Sequence, residues 1–273
     1  MSKAAYDNQI TVMLCFDDGR RDVYDYAVKE LIAHKIPATF SIITSFIEGG
    51  ARWPGDIEAL PMTMDQLYLL NINHLFEIAN HSDTHRIEWT DIQRGKDKLF
   101  LWLGKNADEK IGFTSPGSKQ SKAWFSEHET QFRKAGYVYV RTGGCWQTKR
   151  KLRIFCRKAS RIIHSGMLYS LAYEDTLLSD EERYVLTAVP VMHDITLHQI
   201  KSLIRFAQRK GKNCIIMLHS ILPEDHPDYD NPWVWGENRF LELVDYLNKE
   251  RNNGRIRLMN IKKYASGNKE RTH

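Results

Sequence analysis

The sequence predicts an α/β fold in which parallel strands alternate with helices and close into a barrel, complete or distorted. Short apolar runs of strand length alternate with longer amphipathic stretches along the 273 residues. This alternation is typical of a parallel sheet with crossover helices. Seven or eight such units suffice for a barrel. We expect a single domain over residues 1–273, with an insertion at about 143–181, where the alternation breaks.

The first run, Ile10 to Phe16, is apolar on both faces, as in a parallel strand that is covered on both sides. Further strands are predicted at 38–44, 76–79, 111–114, 137–141, 184–191 and 214–218, with 255–261 as the candidate eighth. Helices are predicted at about 22–34, 63–70, 91–103, 121–135, 196–210 and 237–251. Thr63 and Gln66 have the spacing of a capping box, and Gly211 is a helix stop.

The composition argues against several classes of protein. A net charge of +5 is too small an excess to argue for a nucleic-acid partner. The longest apolar runs have strand length, so we expect no membrane span. No apolar stretch precedes the first strand, so no signal peptide is predicted and we expect a cytoplasmic location.

Three polar clusters directly follow apolar runs, at the ends of three predicted strands. They are Asp17 with Asp18, His81 with His85, and His219. The carboxyl ends of all strands in a parallel barrel open onto one face, where binding and catalytic sites are built. We therefore expect clusters that are distant in sequence to converge there.

Each cluster has a functional and a structural interpretation. In a helical turn, the side chains of His81 and His85 would share one face and could bind one ion, although either can be an ordinary hydrogen-bonded histidine. Asp17 and Asp18, followed by Gly19, are residue types that favour a turn, which is the structural interpretation. In the functional interpretation, one carboxylate completes a metal site while its neighbour serves as a base. His219 is positioned to donate a proton to a leaving amine, or is a boundary residue.

Together the clusters resemble the NodB-homology polysaccharide deacetylases, carbohydrate esterase family four, from Ile10 to about Ile261. The motifs that carry the resemblance are Phe16-Asp17-Asp18-Gly19, Asn80-His81-Ser82-Asp83-Thr84-His85 and Met217-Leu218-His219-Ser220. The resemblance implies a distorted barrel of seven or eight strands. It also implies a metal-dependent hydrolase, acting on linear amides, that removes acetyl groups from N-acetylated poly- or oligosaccharides.

The resemblance also implies roles for particular residues. Asp17 resembles the catalytic base and His219 the catalytic acid, while three residues resemble the metal ligands: Asp18, His81 and His85. The backbone N–H of Gly117 is a candidate donor to the oxyanion. Zinc is the expected metal from its availability and from the ligand types, with cobalt and nickel as alternatives.

The sequence departs from the family pattern in its third motif, where an arginine that pairs with the base is usual. Thr114 stands in that place. Arg141 ends the next predicted strand, so it is either a surface residue or a replacement that forms a two-pronged contact with Asp17. Met217 stands where a leucine usually lines the acetyl pocket. The family's Asp-Trp motif has no clear counterpart.

Two further features have both a functional and a structural interpretation. Trp233 and Trp235 lie in the loop after His219, where indole rings either stack on a sugar or close the core. A basic run is interpreted as an amphipathic helix with a solvated charged face, or as a site for an anionic polymer, lipid headgroup or nucleotide-sugar. Its cations are Lys149, Arg150, Lys151, Arg153, Arg157, Lys158 and Arg161.

Two rival functions remain at the level of sequence. One is a catalytically degenerate protein of the same fold that only binds glycans. The other is a non-haem iron oxygenase, which also uses two histidines and a carboxylate but usually on an all-β fold. The expected partner is an N-acetylated carbohydrate, and the sequence leaves the oligomeric state open.

Overall fold

The computed structural model describes residues 9–49, 59–143 and 150–267. Within them, seven parallel strands close into a barrel, because the first strand pairs with both the second and the seventh. The strands are β1 (Ile10–Phe16), β2 (Ala38–Ile42), β3 (Phe76–Asn80), β4 (Ile111–Thr114), β5 (Tyr137–Gly143), β6 (Val185–Pro190) and β7 (Cys214–Leu218). The predicted distorted (β/α) barrel is therefore confirmed.

Three short strands lie outside this ring. They are β8 (Ser220–Leu222), β9 (Val234–Gly236) and β10 (Ile256–Leu258). β8 and β9 form a separate two-stranded sheet, whereas β10 pairs with the first residues of β1, where β2 does not pair. The eighth strand predicted at 255–261 is thus shorter than expected, and Ile261 begins a helix instead.

Helices connect the strands, as the alternation predicted. In chain order they are α1 (Arg21–Val23), a π-helical turn (Tyr24–Val28), α2 (Lys29–Ala33), α3 (Thr44–Ile47), α4 (Met64–Ile72), α5 (Trp89–Trp102), α6 (Lys122–Glu127), α7 (Glu129–Lys134), α8 (Lys151–Ile163), α9 (Gly166–Ala172), α10 (Leu197–Lys210), α11 (Glu237–Asn252) and α12 (Ile261–Ala265). The single helix predicted at 121–135 is wrong, because the helical geometry breaks at His128 and yields two short helices.

Local signals place several of these helix ends. The Thr63 hydroxyl accepts a hydrogen bond from the Gln66 backbone N–H, and the Gln66 side chain accepts one from the Thr63 N–H, which confirms the capping box. Gly211 ends α10 with a φ of 60°, a left-handed conformation that glycine adopts without strain. None of the helices in the described ranges is long and apolar enough to cross a membrane.

The predicted insertion at about 143–181 is largely helical. It contains α8, α9 and a 3-10 turn at Glu174–Thr176, and α9 packs against both α8 and α10. Residues 144–149, which include Lys149 of the basic run, lie outside the described residues. The single-domain organisation stays a prediction.

The inside of the barrel is polar as well as apolar. Near the amino ends of the strands, the buried Glu77 carboxylate accepts hydrogen bonds from the Thr39 and Tyr139 hydroxyls and from the backbone N–H of Lys262 in α12. Helix α12 packs against β1, β2, β4 and β5 and so covers this end. The carboxyl ends of the strands carry the polar clusters, which leaves that end for a site.

Candidate active site

Asp17 and Asp18 form a tight turn at the end of β1. The backbone N–H of Asp17 donates to the carbonyl of Leu218, at 2.9 Å, and so continues the β1–β7 ladder into the turn. Asp18 and Gly19 then have φ values of 78° and 83°. A left-handed aspartate costs backbone energy, and such strain is concentrated at functional sites.

The loop that carries His81 and His85 is not helical, so the expected helical turn is wrong. Ser82 and His85 have φ values of 65° and 59°, and these left-handed residues reverse the chain. The two imidazoles nevertheless converge, with their Nε2 atoms 3.2 Å apart. Turn geometry rather than helical spacing therefore brings the pair together.

Hydrogen bonds fix this loop from both sides. The Asn80 side chain accepts from the Ser82 N–H at 3.0 Å and donates to the carbonyl of Ile92 in α5 at 2.9 Å. Asp91, also in α5, accepts from the hydroxyl and the backbone N–H of Thr84. Helix α5 therefore holds the loop in place.

Three side chains could hold a metal ion here: Asp18, His81 and His85. Their ligand atoms all lie within 4.8 Å of one another. The Nδ1–H of His81 donates to the carbonyl of Thr114 at 3.0 Å, which leaves its Nε2 free to face Asp18 Oδ1, 3.6 Å away. A backbone acceptor that fixes the tautomer in this way is usual for metal-binding histidines, and two imidazoles with one carboxylate suit a divalent ion such as zinc.

Electrostatics favour the metal-binding protonation states of two of these candidate ligands. Burial would raise the pKa of Asp18, but hydrogen bonding to His81 and the nearby His219 and His85 lower it below its usual range. Burial, and then the neighbouring His81, lower the pKa of His85 to about 3. Near neutral pH the carboxylate is thus ionised and the His85 imidazole is neutral, as metal ligation requires.

Arg141 reaches across the barrel interior to Asp17. Its Nη2 donates to Asp17 Oδ1, and both side chains are buried. Burial would raise the pKa of Asp17, but the Arg141 guanidinium, followed by His81 and His219, holds it below its usual value. The interpretation of Arg141 as a surface residue is therefore wrong, since its side chain is fully buried.

The expected two-pronged contact is also wrong, because only one guanidinium nitrogen reaches the carboxylate. Nη1 of Arg141 instead lies 2.8 Å from the sulfur of Met217, and its Nε has no hydrogen-bond partner among the described residues. Thr114, which stands in place of the family's arginine, pairs its hydroxyl with that of Ser41 at 2.8 Å.

His219 follows β7 and faces the same cluster. Its ring lies against Trp233, with the centroids 4.4 Å apart and a tilt of 47°. Burial lowers the pKa of His219, against the opposing effect of Asp18 and Asp17. Within the described part of the chain, its buried Nδ1 has no hydrogen-bond partner.

A cavity of about 230 Å³ opens among these residues. It is lined by Asp17, Asp18, His81, His85, Ser115, Gly117, Ser118, Met217, His219 and Trp233. The backbone N–H of Gly117 points at His85 Nε2, 3.3 Å away, so this donor faces the cluster. Ser115 and Ser118 were not among the predicted site residues, although the Ser-Pro-Gly-Ser turn directly after β4 was a visible signal.

Trp235 does not contribute to this cavity, so its interpretation as a substrate wall is wrong. The side chain is fully buried in the main hydrophobic core, and its Nε1–H donates to the carbonyl of Ile195 at 2.7 Å. Successive side chains of a β-strand point to opposite faces, so Trp235 in β9 points to the face opposite that of its two neighbours in the strand. Trp233, just before β9, keeps its place in the cavity wall.

The fold and the site define a class: an α/β barrel with an Asp-His-His cluster at the carboxyl ends of its strands. Residues 5–122 match the family model described as polysaccharide deacetylase. This match over residues 5–122 agrees with the resemblance seen in the sequence. The matched segment contains Asp17, Asp18, His81 and His85, whereas His219 lies beyond it. No match is found among curated proteins.

Several solved structures are similar to this chain at low sequence identity. "T48 deacetylase with substrate" is 12% identical, with a TM-score of 0.47 over 96% of this chain and 93% of that one. A mutant of BA3943, a CE4 family pseudoenzyme with restored enzymatic activity, is 12% identical, with a TM-score of 0.48 over 94% and 68%. A family 4 acetyl xylan esterase from Clostridium thermocellum, in complex with a cobalt ion, is 14% identical, with a TM-score of 0.44 over 94% and 90%.

We expect Gly95→Ala to weaken metal binding as well as folding. A Cβ at this position in α5 would lie 2.5 Å from the backbone carbon of Ser82 and 2.8 Å from the N of Asp83. Overpacking should cost about 1–3 kcal/mol, more than alanine regains in helix propensity. Displacement of the histidine loop should also lower metal affinity about tenfold.

Urea denaturation and metal titration of the purified variant measure the two effects. A variant that is more stable than the wild type and binds metal equally well would contradict this role for the contact between α5 and the loop.

Proposed function

We propose that this protein is a metal-dependent hydrolase that removes acetyl groups from N-acetylated poly- or oligosaccharides. One observation carries the proposal. Three side chains converge at the carboxyl end of the barrel: Asp18, His81 and His85. A second carboxylate, that of Asp17, lies beside them and accepts a hydrogen bond from the buried Arg141. The match of residues 5–122 to the polysaccharide deacetylase family model supports the same reaction.

Asp18, His81 and His85 are the proposed ligands of one divalent metal ion. Zinc is our first choice, with cobalt and nickel as alternatives, because two imidazoles and a carboxylate suit all three ions. When bound, such an ion supplies Lewis acidity, which polarises an amide carbonyl and lowers the pKa of a water molecule.

Asp17 is the proposed general base. Arg141 keeps its pKa low, so the carboxylate is ionised near neutral pH and is able to accept the proton of the attacking water. A single hydrogen bond from Arg141 to Oδ1 leaves Oδ2 directed towards the histidines, 4.0 Å from His81 Nε2. Arg141 thus orients the carboxylate of Asp17 and leaves Oδ2 available to accept a proton.

His219 is the proposed general acid for the departing amine. Because burial lowers its pKa, His219 is neutral before the reaction and must gain a proton within the cycle. We propose that Asp17 passes on to His219 the proton that it removes from the attacking water. Water oxygen then bonds to the acetyl carbon, the C–N bond breaks, His219 protonates the nitrogen, and acetate and an amino sugar leave.

The remaining cavity residues would position the N-acetyl group. The N–H of Gly117 faces the cluster and would donate to the oxyanion. Met217 would line the pocket for the acetyl methyl group, and the half-buried Trp233 offers an indole face to the sugar ring. A carbohydrate is the proposed partner; the single-domain organisation and a cytoplasmic location stay predictions.

Two rival functions fit the structure less well. An iron oxygenase leaves the base-like Asp17 and its arginine without a role, and its usual fold is all-β rather than a parallel barrel. A degenerate, glycan-binding protein was favoured by the absent third-motif arginine, but the contact of Arg141 with Asp17 removes that argument. The unpaired Nδ1 of His219 is the observation that still favours it.

We expect Asp17→Asn to retain its metal but to lose most of its hydrolytic activity. The amide cannot accept a proton from water, whereas Asp18 still holds the ion. Loss of a general base typically lowers turnover on the order of a hundred- to ten-thousand-fold. The measurement is acetate release, together with elemental analysis of the same samples.

Glu77→Gln is the matched control, because Glu77 is also buried inside the barrel but lies at its opposite end. Turnover by Asp17→Asn that equals turnover by this control would remove Asp17 from the mechanism.

We expect His81→Ala to lose most of the bound metal. Its imidazole supplies one of three ligands, and the alanine leaves the carbonyl of Thr114 without this donor. Elemental analysis after dialysis against a defined zinc concentration gives the occupancy, with the exposed His74→Ala as the control. Full occupancy in His81→Ala would show that the assigned ligands are wrong.

We expect Arg141→Lys to lower turnover roughly tenfold or more while metal affinity changes much less. Lysine keeps the charge but loses the planar group that reaches Asp17 Oδ1 while packing against Met217. Steady-state kinetics and metal titration separate the two quantities. Arg133→Lys is the control, since Arg133 forms an exposed ion pair with Glu129. An equal loss in both quantities would make Arg141 a structural residue only.

A further inference from the structure

The apolar side of α8 is exposed, although apolar residues at helical spacing would ordinarily face the core. The exposed fractions are 70% for Leu152, 64% for Phe155, 78% for Ile162 and 64% for Ile163. Met167, in the neighbouring α9, is 70% exposed. These five residues form what we call the α8 apolar patch. The predicted amphipathic helix with a solvated charged face is therefore present, but most of its large apolar residues also face solvent rather than the core.

The opposite side of α8 explains this orientation. Cys156 and Ser160 are buried against the barrel helices, and the Ser160 carbonyl accepts from the Gln199 side chain of α10 at 2.8 Å. Arg153 reaches back to the carbonyl of Leu171 and to Glu174. Small and hydrogen-bonding residues make these attachments, so most of the large apolar residues of the helix are left outside, although Ile154 is half-buried.

The size of the patch distinguishes it from scattered surface leucines. Leu152, Phe155 and Ile162 recur at spacings of three and seven and so share one face of the helix. A helix of 13 residues is about 20 Å long, and Ile163 and Met167 extend the patch at its carboxyl end. Contiguous exposed apolar surface of this kind marks an interaction site.

The charges around the patch favour an anionic partner. Arg150, Arg153 and Arg161 are paired with acidic residues of neighbouring segments. The exposed Lys151 and Lys158 adjoin the patch, and neither has an ion-pair partner among the residues that the structure describes. The sequence of α8 contains no aspartate or glutamate. The rim of the patch is therefore cationic.

We propose that α8 docks the protein on the surface of an anionic lipid bilayer. A helix that presents Leu, Phe and Ile on one side and lysines at the rim lies in the headgroup region, where the apolar residues enter the acyl boundary. The lysines bind anionic headgroups at the same depth. A protein partner would need one apolar groove with an acidic rim, whereas a bilayer supplies both features over any area.

The position of α8 relates the docking surface to the cavity. The helix lies in the connection that leaves β5 at its carboxyl end. Arg161 forms an ion pair with Asp194, in the loop that follows β6, with Nε and Oδ2 2.5 Å apart. The carbonyl of His193 in that loop accepts from Arg239 of α11. The carboxyl-terminal end of α8 therefore lies near the end of the barrel that carries the cavity, whereas Arg153, near its other end, pairs with Glu174, which also binds Lys210 at the end of α10. None of the α8 residues lines the cavity.

The test is flotation of the full chain with phosphatidylcholine vesicles, with and without phosphatidylglycerol. We expect the wild type to float with the anionic vesicles and much less with the neutral ones. The double variants F155S/I162S and K151Q/K158Q should each lower the partition coefficient roughly tenfold or more. Thermal melts check folding, which the exposure of all four residues should preserve.

Matched controls separate the patch from general surface effects. Leu101→Ser removes another leucine that is 79% exposed, on α5, and Lys134→Gln removes an exposed lysine on α7. Both should bind vesicles like the wild type. Absence of binding to anionic vesicles, or equal binding by F155S/I162S and Leu101→Ser, would overturn the proposal. So would a wild type that self-associates through the patch in sedimentation and does not bind vesicles.

Discussion

The buried contact between Arg141 and Asp17 is the constraint on which the site depends. A charge of either sign inside the barrel is costly unless it is paired, and removal of one partner of such a pair typically costs about 3–5 kcal/mol. Arg141 is fully buried on β5, and Asp17 lies at the end of β1, so the pair spans the barrel. It orients the Asp17 carboxylate and keeps it ionised. The proposed base thus depends on one interaction.

The other polar residues of the interior fit around that pair. Because the arginine comes from β5, Thr114 on β4 is free to bond Ser41 through its hydroxyl and to orient His81 through its carbonyl. Nearer the amino ends of the strands, the Glu77 carboxylate accepts hydrogen bonds from hydroxyl and backbone donors, and burial raises its pKa. The barrel therefore contains separate polar layers, and its charged layer lies directly beneath the cavity.

The sequence predicted the strands and the strand-end clusters, because alternation and parallel topology determine which residues point inward and at which end. It offered the contact of Arg141 with Asp17 as one of two interpretations, beside that of a surface arginine. It did not predict the single-pronged geometry, which depends on Met217 competing for the guanidinium. The left-handed residues around His81 carry no sequence signal, since they are not glycines. The periodicity of apolar residues predicted the apolar face of α8, but it could not predict whether another element covers that face. It also could not predict that Trp235 is buried.

The proposed chemistry also explains why the site tolerates strain. Asp18 and His85 both adopt left-handed backbone conformations, and a bound ion would stabilise the folded state by mass action. The central claim is that this cluster, with metal, hydrolyses acetamides of sugars. The most direct measurement is acetate release from a panel of N-acetylated oligosaccharides by chelator-treated protein, before and after addition of zinc, cobalt or nickel. We expect release only after metal is restored. Release that is undiminished without metal, or no release from any substrate with every metal, would contradict it.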